Sequence, residues 1–232
     1  MEPPRPLLYT YRRCPYAMRA RMALLVAGIT FDAHEIVLRE KPTEMLAVSP
    51  KGTVPVLVLP DHRVLEQSWD IVEWSLTREG TGTEAHGWWI RAQIPELHDL
   101  VHRNDGDFKR HLDRYKYPER FPQDTASTVT AGTRAFFREQ AVAVLLERLE
   151  SCLAGREFLG GAQPCAADIG IFPFVRQFAA VDPVWFDTLP LRRVRAWLNH
   201  WLQSSLFEAC MQKLPSNAAV RYPGLAHSAS GA

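Results

Sequence analysis

The sequence has no apolar run near the roughly 20 residues that a membrane-spanning helix needs. Its first residues, Met1 to Pro6, also lack the basic-then-apolar pattern of a signal peptide. Neither charge is in excess, because 27 Lys and Arg residues stand against 26 Asp and Glu residues in the 232-residue chain. Such a chain has no long-range field to attract nucleic acid or an anionic membrane. These absences predict a cytoplasmic protein that binds neither.

Cysteine is scarce as well. The four cysteines are Cys14, Cys152, Cys165 and Cys210. They are too far apart for a disulfide framework in a chain expected in a reducing compartment. The last three lie in apolar helical patterns, where a cysteine is usually a small buried hydrophobic residue. Cys14 differs because it stands between a strand pattern and a helix pattern.

The first third of the chain alternates strand and helix patterns in the order β-α-β-α-β-β-α. Strands are predicted at Leu7 to Thr10, Thr30 to Leu38, residues 52–59 and Arg63 to Leu65, and a helix at Pro15 to Ala27, ended by Gly28. A strand-helix-strand unit implies a parallel crossover, whereas the last two strands are too close in sequence for one and must be antiparallel. We therefore predict an α/β domain with a mixed four-stranded sheet over residues 1–79.

The rest of the chain has almost no strand pattern. A polar break, Gly-Thr-Gly-Thr, predicts a linker over residues 80–84. Apolar residues recur at helical spacing from Val142 to Leu153 and from Val194 to Leu202, which predicts an all-α domain over residues 85–220. Residues 221–232 are small and polar, so we expect a loosely ordered tail.

Cys14 is followed by Pro15, and proline is favoured in the first turn of a helix, which makes Cys14 the expected N-cap residue. The helix amides and dipole would then favour the thiolate. Lowering the pKa from about 8.5 to about 6 takes roughly 3.4 kcal/mol, of which a helix terminus supplies about 0.3 to 2 kcal/mol. N–H hydrogen bonds or a cation must supply the remainder. The candidate cations are Arg12, Arg13, Arg19 and Arg21. The alternative is that they are solvated surface charges, which would have little effect on the pKa of Cys14.

No second cysteine follows within the segment Cys14-Pro15-Tyr16-Ala17. A mixed disulfide at Cys14 would therefore have to be cleared by an external thiol, because exchange needs a thiolate to attack one of the two sulfurs. Glutathione is the obvious cytosolic thiol.

The segment CPYAMRARM, from Cys14 to Met22, resembles the active-site helix of the glutathione transferase superfamily. The likeness is to the cysteine type, found in omega-class transferases and two-domain bacterial glutaredoxins. Val54-Pro55 is similar to the family's cis-proline turn, and Gln67-Ser68 to its acidic-or-Gln plus Ser pair. Lys41 followed by Pro42 also has an omega-like pattern.

The resemblance extends into the second half of the chain. Phe158 to Gly161 and Pro164 to Ile169 match the family's loop and helix-capping signature. Cys165 departs from it, because the family normally has Ser or Thr as this N-cap. A thiol is a weaker acceptor, so we expect the cap to depend on Asp168.

The resemblance implies a glutathione transferase fold, in which a thioredoxin-like domain precedes the helical one, with Cys14 as the catalytic residue. The glutathione-binding residues it implies are Pro15, Tyr16, Lys41, Val54, Pro55, Gln67 and Ser68. The family's geometry would place an aromatic wall for a second substrate at Trp88, Trp89, Phe108 and Tyr115. Core packing is the competing explanation for these aromatic residues.

The predicted activity is glutathione-dependent thiol transfer, with glutathione as co-substrate and a small-molecule or protein thiol or disulfide as partner. Two alternatives stay open: conjugation or isomerisation of a small apolar electrophile, and a non-catalytic binding or regulatory module. No metal is predicted, because His98 and His102 lack a convincing third ligand. The resemblance implies a homodimer, because members of this family are usually homodimers, although a monomer is also compatible with the sequence.

Overall fold

The computed structural model describes residues 4–121 and 131–223, so most of the predicted tail, residues 224–232, lies outside the described residues. Two π-helical turns span Asn104–Phe108 and Val142–Leu146, and a 3-10 turn spans Pro118–Arg120. The helices and strands are β1 (Leu7–Thr10), α1 (Pro15–Val26), β2 (Asp32–Glu35), α2 (Thr43–Val48), β3 (Val56–Val58), β4 (Val64–Leu65), α3 (Ser68–Thr77), α4 (Thr83–Arg91), α5 (Pro95–Arg103), α6 (Lys109–Lys116), α7 (Ala131–Ala141), α8 (Glu147–Cys152), α9 (Ala166–Ala179), α10 (Pro183–Thr188), α11 (Arg192–Leu202), α12 (Ser205–Cys210) and β5 (Ala219–Arg221).

The strands form one mixed sheet in the order β4-β3-β1-β2-β5. Strand β1 pairs with β2 in parallel, with Tyr9 opposite His34, and with β3 in antiparallel, with Tyr9 opposite Val56. Strand β4 pairs antiparallel to β3. The parallel crossover and the antiparallel pair predicted from strand spacing are both confirmed.

The sheet has five strands, so the predicted count of four is wrong. Strand β5 pairs antiparallel to β2, with Arg221 opposite Asp32, and Tyr222 is only 4% exposed, stacked on Phe31 with 4.7 Å between ring centroids. Arg221 and Tyr222 were predicted in the loose tail but belong to this sheet edge. A three-residue edge strand with exposed side chains has no apolar alternation from which to predict it.

The described residues form two compact units. The first contains the residues up to Trp89 and those from Trp201 onward, and the second is Ile90–His200. The chain thus returns to the sheet-containing unit after Trp201, whereas the prediction kept residues 201–220 in the helical domain. Helix α4 begins at Thr83, inside the predicted linker. No helix among residues 4–121 and 131–223 is both long and apolar enough to cross a membrane.

Helix α1 is the central helix of the first unit. Every residue from Ala17 to Leu25 is buried, including the two arginines Arg19 and Arg21. It packs against α3 and α12. The helix ends at Val26, and Gly28 then adopts a φ of 63°, the left-handed conformation that glycine supplies after a helix. The packing of α1 against α3 and α12 therefore fixes the position of the helix and of its N-terminus.

The second unit is built around α9, whose residues from Ala166 to Val175 are all buried. At its start, the Asp168 carboxylate accepts a hydrogen bond from the Cys165 N–H at 2.9 Å. The predicted dependence of this cap on Asp168 is confirmed. Helices account for the regular structure in the described part of this unit, as predicted for an all-α domain.

Candidate active site

Cys14 is the N-cap residue of α1. Its backbone is extended, with φ −73° and ψ 123°, and its carbonyl accepts the first helical hydrogen bond from the Met18 N–H at 2.9 Å. Pro15 occupies the first turn, as predicted from the sequence. The Cys14 N–H donates to the Tyr11 carbonyl at 3.0 Å, which closes the turn between β1 and α1. Cys14 is a partly exposed residue at the positive end of a helix.

The structure brings Cys14 to the turn that precedes β3. The Sγ atom lies 3.8 Å from the Val54 carbonyl oxygen, within the reach of a weak S–H hydrogen bond. The Val54–Pro55 peptide bond is cis, which confirms that prediction. The two features lie 40 residues apart in sequence and meet because β1 and β3 are neighbours in the sheet.

Gln67 and Ser68 lie at the N-terminus of α3, where Gln67 is the exposed N-cap residue and Ser68 is 6% exposed. The Ser68 hydroxyl accepts a hydrogen bond from Arg19 Nη1 at 3.2 Å. Arg19 is fully buried, and its guanidinium lies 5.6 Å from the ring centroid of Tyr16 and 5.4 Å from that of Trp69. A buried cation therefore lies directly behind this helix N-terminus.

Sequence reasoning considered Arg19 only as a cation that lowers the pKa of Cys14. Its link to Ser68 follows from the packing of α1 against α3, which a sequence pattern does not specify. Lys41 is exposed, and its ammonium lies against Gly52, where a Cβ atom would be 3.2 Å from Lys41 Nζ. Lys41 thus borders the segment that leads to Val54.

The remaining candidate cations have other contacts. Arg13 is exposed and donates to the Tyr11 hydroxyl at 3.1 Å, whereas Arg21 is 1% exposed and donates to the Arg12 carbonyl at 2.7 Å. The Arg12 N–H in turn donates to the Glu35 carboxylate at 2.7 Å. The side chains of Arg21 and Glu35 therefore hold the backbone before Cys14.

The four aromatic residues predicted to line a second-substrate pocket belong to three separate packing groups. Trp88 is 8% exposed and lies edge-on to Trp201. Phe108 and Tyr115 lie in the second unit and are almost fully buried, with ring centroids 5.5 and 5.4 Å from that of Phe178. These two side chains are core residues without exposed surface for a ligand, as the competing explanation proposed.

Trp89 has a different environment. It is partly buried, and its ring centroid lies 6.0 Å from that of Trp69, the residue after Ser68. Of the four aromatic residues, it therefore stays the candidate for contact with a second substrate. The described residues contain no group of three or more His, Cys, Asp or Glu side chains that could hold a metal ion.

The other three cysteines are deeply buried: Cys152 is 6% exposed, and Cys165 and Cys210 are fully buried. Burial raises the pKa of Cys152 to about 11 and also raises that of Cys165. No disulfide links any of the four. They are thus poorer nucleophiles than Cys14, which is partly exposed at a helix N-terminus.

We predict that iodoacetamide at neutral pH adds one alkyl group to the native chain, on Cys14. Reaction needs an accessible thiolate, and Cys14 is the partly exposed cysteine, whereas the other three are buried. Intact mass and peptide mapping measure the stoichiometry and the position, and the Cys14→Ser variant should take up none. Labelling of Cys152 at a similar rate would contradict this assignment.

The chain matches two domains of one known protein family. The family described as Glutathione S-transferase, N-terminal domain, matches residues 8–82, and Glutathione S-transferase, C-terminal domain, matches residues 133–200. A probable glutathione transferase of Aplysia californica is 40% identical over 55 residues, which are 24% of this chain and 60% of that protein. A probable glutathione S-transferase of Zea mays is 37% identical over 75 residues, 31% of this chain and 32% of that protein.

The alignments thus cover less than two thirds of either relative. Among solved structures, a glutathione transferase from Pseudomonas putida, with one glutathione disulfide bound per subunit, has a TM-score of 0.70 and 18% identity. The match covers 91% of this chain and 92% of that one, and at this identity it shows the shared fold. Because both domains of one family match in order along one chain, and the fold agrees with them, the chain belongs to the glutathione S-transferase superfamily.

Proposed function

We propose that the protein is a glutathione-dependent thiol transferase in which Cys14 is the reacting group, which would make it a cysteine-type member of its superfamily. The observation that carries the proposal is the position of the Cys14 sulfur. Cys14 is partly exposed at the N-terminus of α1, and its sulfur lies 3.8 Å from the Val54 carbonyl oxygen. A thiol at a helix N-terminus is favoured as thiolate, and a backbone turn beside it can pair with a peptide-like substrate.

The surrounding residues suit the three parts of glutathione. The backbone of the partly exposed Val54 would pair with the cysteinyl part, which would place its sulfur next to Cys14. The α3 N-terminus at Gln67 and Ser68, backed by the Arg19 cation, would hold the γ-glutamyl carboxylate. Lys41 would approach the glycyl carboxylate from the segment before Val54.

The reaction has two balanced exchange steps. The Cys14 thiolate attacks the glutathionyl sulfur of a mixed disulfide, so a Cys14–glutathione disulfide forms and the substrate leaves as a thiolate that takes up a proton. The thiolate of a second glutathione then attacks the bound glutathionyl sulfur. Glutathione disulfide leaves, and the Cys14 thiolate is restored, so one substrate disulfide is reduced for each glutathione disulfide made.

An external thiol is needed because no second cysteine is placed to resolve the mixed disulfide. Cys210 is the other cysteine of the first unit, and it is fully buried, with its sulfur 3.7 Å from the Met18 carbonyl oxygen. A reducing compartment rich in glutathione supplies the resolving thiol and keeps the buried cysteines reduced. We therefore place the protein in the cytoplasm. The expected homodimer stays a prediction.

Thiol transfer is favoured over conjugation by the chemistry of the N-cap side chain. A hydroxyl at this position would stabilise the thiolate of glutathione by a hydrogen bond, whereas a cysteine takes the glutathionyl group from an existing disulfide by thiolate exchange and releases the other sulfur as a thiolate. The bound glutathione disulfide in the Pseudomonas putida relative supports the choice of ligand for the present chain. A small molecule and a protein both remain suitable second substrates.

The proposal predicts a covalent intermediate. Incubation with glutathione disulfide should add one glutathionyl group to the chain, on Cys14, and added glutathione should remove it, because both steps are thiolate exchange. Intact mass measures the adduct, and peptide mapping locates it. The Cys14→Ser variant serves as control.

Two other outcomes would contradict the proposal. If wild-type protein forms no adduct on Cys14, thiol transfer through this residue is wrong. If an adduct forms but no glutathione mixed disulfide is turned over, the fold serves as a binding module.

A further inference from the structure

Arg21 is a buried cation whose contacts converge on the backbone before Cys14. Its Nη2 donates to the Arg12 carbonyl at 2.7 Å, and its Nη1 donates to the Tyr11 carbonyl at 3.4 Å and to the Thr10 hydroxyl. On the opposite side, Nε donates to the Cys210 carbonyl at 3.0 Å. One guanidinium therefore joins the β1–α1 loop to the C-terminal end of α12.

Both backbone polar groups of Arg12 are hydrogen-bonded to charged side chains. The Arg12 N–H donates to the Glu35 carboxylate at 2.7 Å, while its carbonyl accepts from Arg21. The neighbouring Tyr11 carbonyl accepts both from Arg21 and from the Cys14 N–H. Hydrogen bonds to ionised side chains are the stronger class, and two of them fix the peptide units that lead to the thiol.

Tyr222 holds the other end of this network. Its hydroxyl donates to the Cys210 carbonyl at 2.8 Å and approaches the Ala209 carbonyl at 2.9 Å. Its N–H donates to the Phe31 carbonyl at 2.9 Å, and the two rings stack. Burial raises the pKa of the Tyr222 hydroxyl, so it remains a donor across the neutral range. The Cys210 carbonyl therefore receives both Arg21 and Tyr222.

We propose that Arg21 is a positioning residue for Cys14, and that the C-terminal segment Ser205–Tyr222 supports the Cys14 loop through it. The inference rests on the proposed function of Cys14. A buried guanidinium needs several fixed acceptors to offset its lost hydration, and here three of the four are in residues 10–12. Because the Arg21 guanidinium is planar and its N–H groups have fixed directions, it sets the positions of the acceptors in residues 10–12 relative to one another. The C-terminal segment is thereby linked to the backbone N–H of Cys14 by an unbroken chain of hydrogen bonds.

The test uses Arg21→Lys, which keeps a cation but loses the fork, and Tyr222→Phe, which keeps the stacked ring but loses the hydroxyl. In Arg21→Lys we expect kcat for thiol transfer to fall by about 10- to 100-fold, the scale of a small misplacement of a reacting group. In Tyr222→Phe we expect about a fivefold fall, as for one lost hydrogen bond. KM for glutathione should change little, because its proposed contacts at Val54 and Ser68 remain.

A second measurement separates positioning from simple loss of stability. The pH profile of Cys14 alkylation by iodoacetamide reports the thiolate itself, and its midpoint should move to higher pH in both variants. Ser75→Ala is the matched control. It removes a buried hydroxyl that donates to the Ile71 carbonyl at 2.6 Å in α3, far in sequence from the Cys14 loop. It should reduce stability without moving the midpoint.

Folded Arg21→Lys and Tyr222→Phe proteins with wild-type alkylation midpoints would overturn the inference. If Arg21→Lys does not fold, Tyr222→Phe decides the question, since the ring and its stacking are retained. Alkylation needs no glutathione, so this result does not depend on whether wild type forms a glutathionyl adduct. Failure of that adduct would refute the proposed function alone, and unchanged midpoints would refute the positioning role alone.

Discussion

Replacing Cys14 by serine should reduce turnover of a glutathione mixed disulfide by at least about 10³-fold, because the hydroxyl cannot form the disulfide that stores the transferred group. The substitution removes one polarisable sulfur and keeps the size and backbone of the N-cap residue. The fold should therefore persist, since the Cys14 side chain makes no cap hydrogen bond to α1. The measurement is the steady-state rate with a small glutathione mixed disulfide, alongside the thermal unfolding midpoint.

The matched control is Cys152→Ser, which changes the same atom at a site that is 6% exposed in the second unit. That variant should keep wild-type turnover. If Cys14→Ser instead keeps its turnover, the thiol is not the nucleophile. If it gains the ability to join glutathione to an apolar electrophile, the hydroxyl is acting as the donor that stabilises the glutathione thiolate, and conjugation is within reach of this fold.

The position of Cys14 was predictable because its determinants are local. An N-cap residue followed by proline depends on a few adjacent residues, and α1 ends where Gly28 predicts. The cis peptide at Val54–Pro55 was predicted from resemblance and is present in the structure. The 3.8 Å approach of Cys14 to Val54 also needs β1 and β3 to pair, which the strand pattern suggested but did not specify in register.

The parts that sequence reasoning missed depend on contacts between distant segments. Strand β5 is held in place by its pairing with β2 and by the Tyr222 ring on Phe31. Its own three residues therefore have no hydrophobic pattern that predicts a strand. Arg19 and Arg21 resemble solvated surface charges in a linear sequence. They are buried because α1 is covered by both α3 and α12, and α12 comes from the far end of the chain.

The aromatic residues illustrate the same limit. Helical spacing alone does not distinguish a pocket wall from a core, because both place aromatic rings on one face. Phe108 and Tyr115 contact Phe178 of α9, and this neighbour decides that they are core residues. Trp89 meets Trp69 instead and remains partly exposed.

Replacing Asp168 by alanine should destabilise the protein by about 4 kcal/mol, because three buried N–H groups lose their acceptor together. The carboxylate is fully buried and accepts from the Cys165 N–H at 2.9 Å, the Leu159 N–H at 3.0 Å and Trp197 Nε1 at 2.7 Å. It therefore ties the start of α9 to the preceding loop and to α11. Urea unfolding at neutral pH measures the free energy of unfolding.

Asp168→Asn separates the hydrogen bonds from the loss of volume. Leu159 and Trp197 both donate to the same oxygen, Oδ1, so an asparagine that keeps an oxygen there retains two of the three bonds. Its NH₂ group then faces the Cys165 N–H, and we expect a cost of about 1 to 2 kcal/mol. The control is Asp187→Ala in α10, an exposed aspartate whose loss should stay within about 0.5 kcal/mol. Equal costs for the alanine and asparagine variants would mean that the buried carboxylate acts through its charge, and not as the shared acceptor of these three donors.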